Sequence, residues 1–400
     1  MKRLGVWMWP YSIREKGAKE TVKYCKRARV TDIYFLAKGL DGTTAFHGPY
    51  APFDCERDLL QELLCEAHAC GIRVHAWFTS ACDEHYKQLH PESGRCHLYR
   101  GRDRELISLA DEGYLAYMEK IVRDVCRRYD VDGLHLDYIR YNHMLYGWGD
   151  EDMARYEAAG ADGKRLKGLM DEAYQGDVRK EDMLIDLARK GDKDLLAFAR
   201  VRRADVWRFA KTLCDAAKQE KPVIELSAAL MPEGAYPDHT FADLHYGQSY
   251  EDAARLYDYA LPMAYSKAYE NKDGAWVRDV ANWTLGYGIK TVVGLHAYED
   301  GTGETLCADI RALEHTPADG ICLFREGACV WAFAGDTYVT VYNNLKETLT
   351  RLILEQDGGD AEVQISLAAG EEKTFRAEKA VYCVRAFGEN GEVSVHLTQE

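Results

Sequence analysis

The sequence predicts an α/β chain: a (β/α)8 TIM barrel with a long insertion after strand four and a small all-β domain at the C-terminus. Three observations predict it. Short apolar runs alternate with amphipathic helical stretches through eight units between residues 4 and 325. A charged, glycine-punctuated stretch at about 142–196 interrupts the cadence once. From about residue 336 the apolar period falls to two, as in strands.

The elements follow in order. LGVWMW at 4–9 is the first expected strand, and Ala18, Val22, Cys25 and Ala28 share one face of the helix after it. TDIYFLAK at 31–38 is the second strand. Leu59, Leu60, Leu63, Leu64 and Ala67 stripe the next helix, which Gly71 ends as a C-cap glycine does. IRVHAWF at 72–78 is the third strand, and Leu115, Met118, Val122 and Val125 recur at helical spacing behind it. VDGLHLDYIRY at 131–141 is the fourth strand with its exit loop. After the insertion come a helix at about 196–219 and strands at 223–230, 259–265, 290–298 and 320–325, separated by helices near 250–258, 275–287 and 303–315. An open doubly wound sheet is the alternative, but no GxGxxG follows the first strand, which argues against dinucleotide binding.

The expected domains are a barrel over 1–335, with the insertion inside it, and a β-sandwich over 336–400. In that tail Val339, Val341, Leu349, Leu352, Leu354, Val363, Ile365 and Leu367 carry the alternation. The insertion reads either as a solvated decoration or as a lid or subsite wall, because βα loops of barrels build sites.

Composition narrows the function. With 51 basic against 66 acidic residues the formal charge is −15, which disfavours nucleic acid and anionic membranes as partners. An oligosaccharide or glycan fits better; oligomeric state is not legible. None of the 12 cysteines forms a CxxC pair, so free buried thiols are expected. The opening MKRLGVWMWPYSIRE has too short an apolar run for a signal-peptide core, so the expected compartment is the cytoplasm, or the exterior if a leader has been removed.

Reactive groups of such barrels sit at the C-terminal ends of the strands. Those ends carry Trp9; Lys38; His75 and Trp77; His135, Asp137, Arg140 and Tyr141; Glu233; Tyr265; His296, Tyr298 and Glu299; and Glu326. Carboxylates and histidines suit sugar hydroxyls, and aromatic rings suit the apolar faces of pyranoses. His135 and Asp137, two apart, share the inward face of strand four. An inward aspartate needs partners. Arg140, Lys38 and His135 are expected to supply them and to position hydroxyls. Glycoside hydrolysis needs two carboxyl groups. Asp137 is the expected nucleophile or base and Glu233 its partner, with Glu299 and Glu326 in reserve and a retaining course expected. Trp9, Trp77, Tyr265 and Tyr298 are expected to shape the sugar subsites, and Tyr141 to bind substrate beside them. No cofactor is expected. Two rivals stand: a non-catalytic carbohydrate-binding barrel, and a metal-dependent hydrolase with zinc on His75, His135 and His296. HExxH is absent and strand one holds no His-x-His pair.

The segment DGLHLDYIRY at 132–141 resembles the strand-four pattern DGxHxDYxRYP of the glycoside-hydrolase-10-like family of glycosidases. Asn142 stands where that pattern has proline. LPMAY at 261–265 is similar to the family's strand-six PMxY, and SAALMPE at 227–233, YGQSY at 246–250 and the helix with Arg200, Arg203 and Val206 are similar to segments of its members. The likeness spans roughly 4–330 and is not to the family-10 xylanases. It implies a barrel carbohydrate hydrolase acting through Asp137 on polysaccharide or cell-wall glycan. With the cytoplasm as the expected compartment, an intracellular oligosaccharide is the expected substrate.

Overall fold

The computed structural model describes residues 2–53, 55–176, 178–270 and 272–400. Eight parallel strands close a barrel in chain order: Arg3–Met8, Asp32–Lys38, Arg73–Thr79, Gly133–Asp137, Glu225–Leu230, Tyr259–Ala264, Lys290–His296 and Gly320–Phe324. Strand eight returns to strand one, with Arg3 beside Gly320 and Val6 beside Leu323. The expected strands recur with their ends shifted by a few residues at most. Strand four stops at Asp137, and 138–141 form the exit loop expected after it.

Several helices begin where a short acceptor bonds free N–H groups. Asp58 accepts from the Gln61 N–H, Asp111 from Tyr114, Asp192 from Leu195 and Asp273 from Trp276. Among the described residues no helix is long and apolar enough to cross a membrane. All twelve cysteines are free; Cys25, Cys126 and Cys214 are buried, as their place in apolar helix patterns implied.

Contacts divide the chain into two compact units. One comprises the residues up to Leu36, Arg57–Ala76 and Tyr259–Glu400. Its C-terminal part holds two four-stranded sheets. Val330, Val341, Leu352, Leu354, Val384 and Val395 from both sheets pack into one core. The first of these strands is Val330–Gly335, so the β region starts before the composition change at 336. In the same unit Asp32 opens strand two with its carboxylate buried. It accepts from His75 Nε2 at 2.8 Å, and Arg73 and Arg3 lie at 2.8 and 3.4 Å. Burial alone would raise this carboxyl, but His75, Thr31 and Arg73 outweigh it and hold it at about 2.

The other unit comprises Ala37–Glu56 and Trp77–Asp258. It contains an antiparallel hairpin, Gly94–His97 with Gly101–Ile107, that the sequence pattern did not predict. The insertion folds as helices Asp150–Ala158, Gly163–Tyr174 and Glu181–Arg189. Tyr156, Leu166, Met170 and Leu184 join Leu195 and Phe198, from the first turns of the helix Lys193–Glu220, in one apolar core. Its helices therefore bury a core of their own rather than simply decorating the surface.

Asp32 carries a pH-dependent share of stability. Its value is depressed, so the contribution is complete above the ordinary 3.8 and is lost as pH falls through about 2. Asp32→Asn should cost about 3–5 kcal/mol at neutral pH, because buried cations lose their counter-charge. Denaturant unfolding from pH 7 to 2 should show the wild-type advantage shrinking only in that acid window.

Candidate functional site

Asp137 ends strand four with its side chain buried. Oδ2 accepts from Trp77 Nε1 at 3.2 Å. Oδ1 accepts from the Tyr138 N–H at 2.6 Å and from Arg140 at 3.4 Å. Tyr138 has φ +52°, and the turn there brings its own N–H onto the preceding carboxylate. Burial pushes the Asp137 carboxyl above its ordinary value, while Arg140, the Tyr138 N–H and Trp77 pull it back. Three donors surround it, and the form they favour is the carboxylate.

Glu233 lies in the short turn Pro232–Ala235 after strand five and is half-buried. Its Oε1 accepts from the Tyr246 hydroxyl at 3.2 Å. That phenol is raised by burial and by Glu233, and lowered by Arg140. Tyr246 therefore feels both Glu233 and the guanidinium that holds Asp137. The Tyr246 carbonyl also accepts the Tyr141 N–H at 2.9 Å, joining the exits of strands four and five.

Two buried arginines hold this region. Arg202 is fully buried and lies 3.8 Å over the Tyr141 ring. It donates to the carbonyls of His143 at 3.0 Å, His245 at 2.7 Å and Tyr146. Gly247, at φ +65°, allows the close approach: a Cβ there would lie 2.9 Å from the Arg202 backbone. Arg95, from the hairpin, donates to the Arg140 carbonyl at 3.0 Å and to Asn142 Oδ1 at 2.8 Å. Asn142, the departure from the family pattern, is thus a side-chain acceptor that proline could not supply.

Several expected substrate-binding residues are engaged inside the fold, and their assignments are corrected. Lys38 has no exposed surface; it pairs with Asp83 at 3.0 Å and donates to the Cys82 carbonyl at 2.8 Å. It is therefore taken by Asp83 and is not the partner expected for Asp137. His135 is fully buried and its Nδ1 bonds Ser227 at 2.9 Å, which takes the ring away from solvent and substrate. Tyr141 donates to Asp205 at 2.8 Å beneath Arg202. In the other unit His75 is bound to Asp32. Glu326 is buried, accepting from Ser12 and from Asn344 at 3.0 Å, so it is not a reserve acid.

That unit also groups the expected aromatics. Tyr265 stacks on Phe324 at 5.6 Å and meets Tyr298 edge-on at 6.1 Å. His296 stacks on Tyr298 at 4.4 Å, and its Nε2 bonds the Tyr298 carbonyl at 2.8 Å. Glu299 is exposed, with φ +48°. Trp9 is half-buried under the Arg325 guanidinium at 3.9 Å. The zinc alternative gains nothing, since His75, His135 and His296 each serve a different protein partner. Sequence reasoning missed a different group, His143, Glu181 and His245, whose ligand atoms lie within 4.8 Å of one another. Burial works to raise Glu181, but its bond to His245 holds it at about 2; burial lowers His143 to about 4. Their positions in one loop and two separate helices gave no spacing signal.

A closed parallel barrel with a buried carboxylate ending strand four has the architecture of barrel glycoside hydrolases. The family model described as Glycosyl hydrolase-like 10 matches residues 51–295, and the chain belongs to that family. An S-layer-related protein of Niallia circulans is 25% identical over 294 residues, 62% of this chain and 18% of that protein. The chain therefore spans a small part of that relative's length. Among solved structures, the PgaB (BpsB) glycoside hydrolase domain from Bordetella bronchiseptica aligns with a TM-score of 0.64 at 14% identity, over 82% of this chain and 94% of that one. The catalytic domain of a β-amylase from Paenibacillus polymyxa aligns at 0.57 and 10%, over 81% and 92%. A β-galactosidase from Marinomonas ef1 gives 0.59 and 15%, over 81% and 54%. At these identities the likeness is one of fold.

The arginine clamp yields a stability test. Arg202→Met should cost about 3–5 kcal/mol, because three carbonyls lose their donor. Hydrogen exchange should rise first in the backbone of 142–192. Tyr141→Phe, which removes only the bond to Asp205, should cost about 1–3 kcal/mol.

Proposed function

We propose that the chain hydrolyses O-glycosidic bonds of an oligo- or polysaccharide, with Asp137 as nucleophile and Glu233 as the proton donor to the leaving oxygen. The observation that carries this reading is the Asp137 carboxylate, fixed through both oxygens by Trp77, the Tyr138 N–H and Arg140 at the end of a barrel strand. Burial among fixed donors preorganises an anion and leaves it poorly hydrated, which suits attack on an anomeric carbon. Glu233 is half-buried, so solvent reaches it, and its contact with Tyr246 orients one oxygen. Family membership supports the reaction class.

In the first step Asp137 Oδ attacks C1 while Glu233 gives its proton to the departing glycosidic oxygen. In the second, Glu233 takes a proton from water, and the resulting hydroxide displaces Asp137 from C1. Two inversions retain the anomer. Arg140 is a positioning residue that keeps Asp137 ionised.

Reducing-end release from a panel of α- and β-linked oligosaccharides tests this, with NMR of the first-formed anomer. Asp137→Asn should lower kcat/KM by about 10²–10⁴-fold with the circular dichroism spectrum unchanged. Glu233→Gln should do the same on native sugars but spare aryl glycosides with a good leaving group. A non-catalytic sugar-binding barrel would instead bind the panel and turn none of it over.

The acid limb of activity gives an independent check. Asp137 must be ionised, so activity falls as pH drops through its raised value. Arg140 lowers that value. Arg140→Gln should therefore move the acid limb to higher pH, and an unmoved limb would detach Arg140 from Asp137.

A further inference from the structure

We propose that a cleft beside strand eight and the C-terminal sheets is a binding subsite for a sugar that carries a carboxylate. This rests on the glycan-acting reading above and names the chemistry of one sugar unit.

The cleft measures about 510 Å³, and its lining includes Trp9, Tyr11, Glu299, Arg325, Lys346 and Glu347. That volume lies in the range of small-ligand sites. All six residues belong to one compact unit.

Arg325 carries the inference. Its guanidinium lies 3.9 Å over the Trp9 ring and 5.5 Å from the Tyr11 centroid, and it donates to the Tyr11 hydroxyl at 2.6 Å. Among the described residues it has no carboxylate partner. Arg127, Arg155, Arg165, Arg203 and Arg385 each pair with a carboxylate, and buried Arg202 spends its donors on backbone carbonyls, whereas Arg325 lines a cleft. A guanidinium offers five donors, and one hydrogen bond to the protein is recorded for this one. Held over an indole, its fork suits a planar carboxylate.

The rest of the cleft agrees. Lys346 places a second cation 5.1 Å from the Tyr11 ring, and its one ion pair, to exposed Glu15, is of the weak surface kind. Glu347 is occupied by the Glu389 N–H at 3.0 Å. Glu299 is exposed and offers an acceptor to ring hydroxyls. Trp9 and Tyr11 add aromatic side chains to the lining. The cleft draws on both barrel loops and the C-terminal sheets, which gives those sheets a part in ligand recognition.

The test is calorimetric titration of the full chain carrying Asp137→Asn, so that binding is read without turnover and stands whether or not the chain is a glycosidase. The probes are an α-linked galacturonate tetramer and a β-linked glucuronate tetramer, each beside its methyl ester, which keeps the ring and removes the charge. At least one acid form should bind ten-fold or more tightly than its ester, and added salt should shrink the gap. Arg325→Gln should abolish the difference and Arg325→Lys should keep part of it, both with native circular dichroism. Equal affinity for acid and ester, no binding of either tetramer, or discrimination that survives Arg325→Gln would each overturn the proposal.

Discussion

A guanidinium with no exposed surface sets the terms for everything around strand four. Among the described residues no carboxylate pairs with Arg202. Three backbone carbonyls and one aromatic face take up its charge instead. Those carbonyls come from residues 143, 146 and 245, so the loops leaving strands four and five are gathered on one cation. Loops are ordinarily the loosest part of a barrel. Here their paths are fixed by the cost of leaving a buried charge unsatisfied.

That constraint passes on to the carboxylate. Tyr141 is held between Arg202 and Arg95 and is anchored to Asp205. Arg95 grips the Arg140 carbonyl, and the Arg140 side chain then faces Asp137. The chain of contacts runs from an insertion core to a single oxygen atom. It gives the insertion a mechanical purpose, since its helices pack the side chains that keep Arg202 dry.

Much of the barrel was legible because its strands are unbroken apolar runs and its helices start at short polar caps. Asp137 was legible for the same reason: a charge two residues after an inward histidine must lie inside. Burial of the other charges was not. Lys38, Arg95, Arg202 and Glu326 look in sequence like solvated or substrate-facing groups, because charge is written in the sequence and its counter-charge is not. Lys38 meets Asp83 only because the chain turns back after strand three. The hairpin at Gly94–Ile107 was hidden by its run of arginines and acids, which alternate too weakly to mark a strand. Tyr138 and Tyr246 were passed over because their roles depend on one left-handed backbone angle and one tertiary contact.

The buried Glu326 has a consequence for how such chains can be assembled. It follows strand eight, accepts from Ser12 in the first helix, and accepts from Asn344 in the C-terminal region. Its backbone N–H bonds the Trp7 carbonyl of strand one. One carboxylate thus joins the first and last turns of the barrel to the sheets beyond it. A recombination event at the obvious seam, after strand eight, would leave that carboxylate without part of its shell. Cutting the sheets away would strip Glu326 of its Asn344 donor while leaving its Ser12 contact buried.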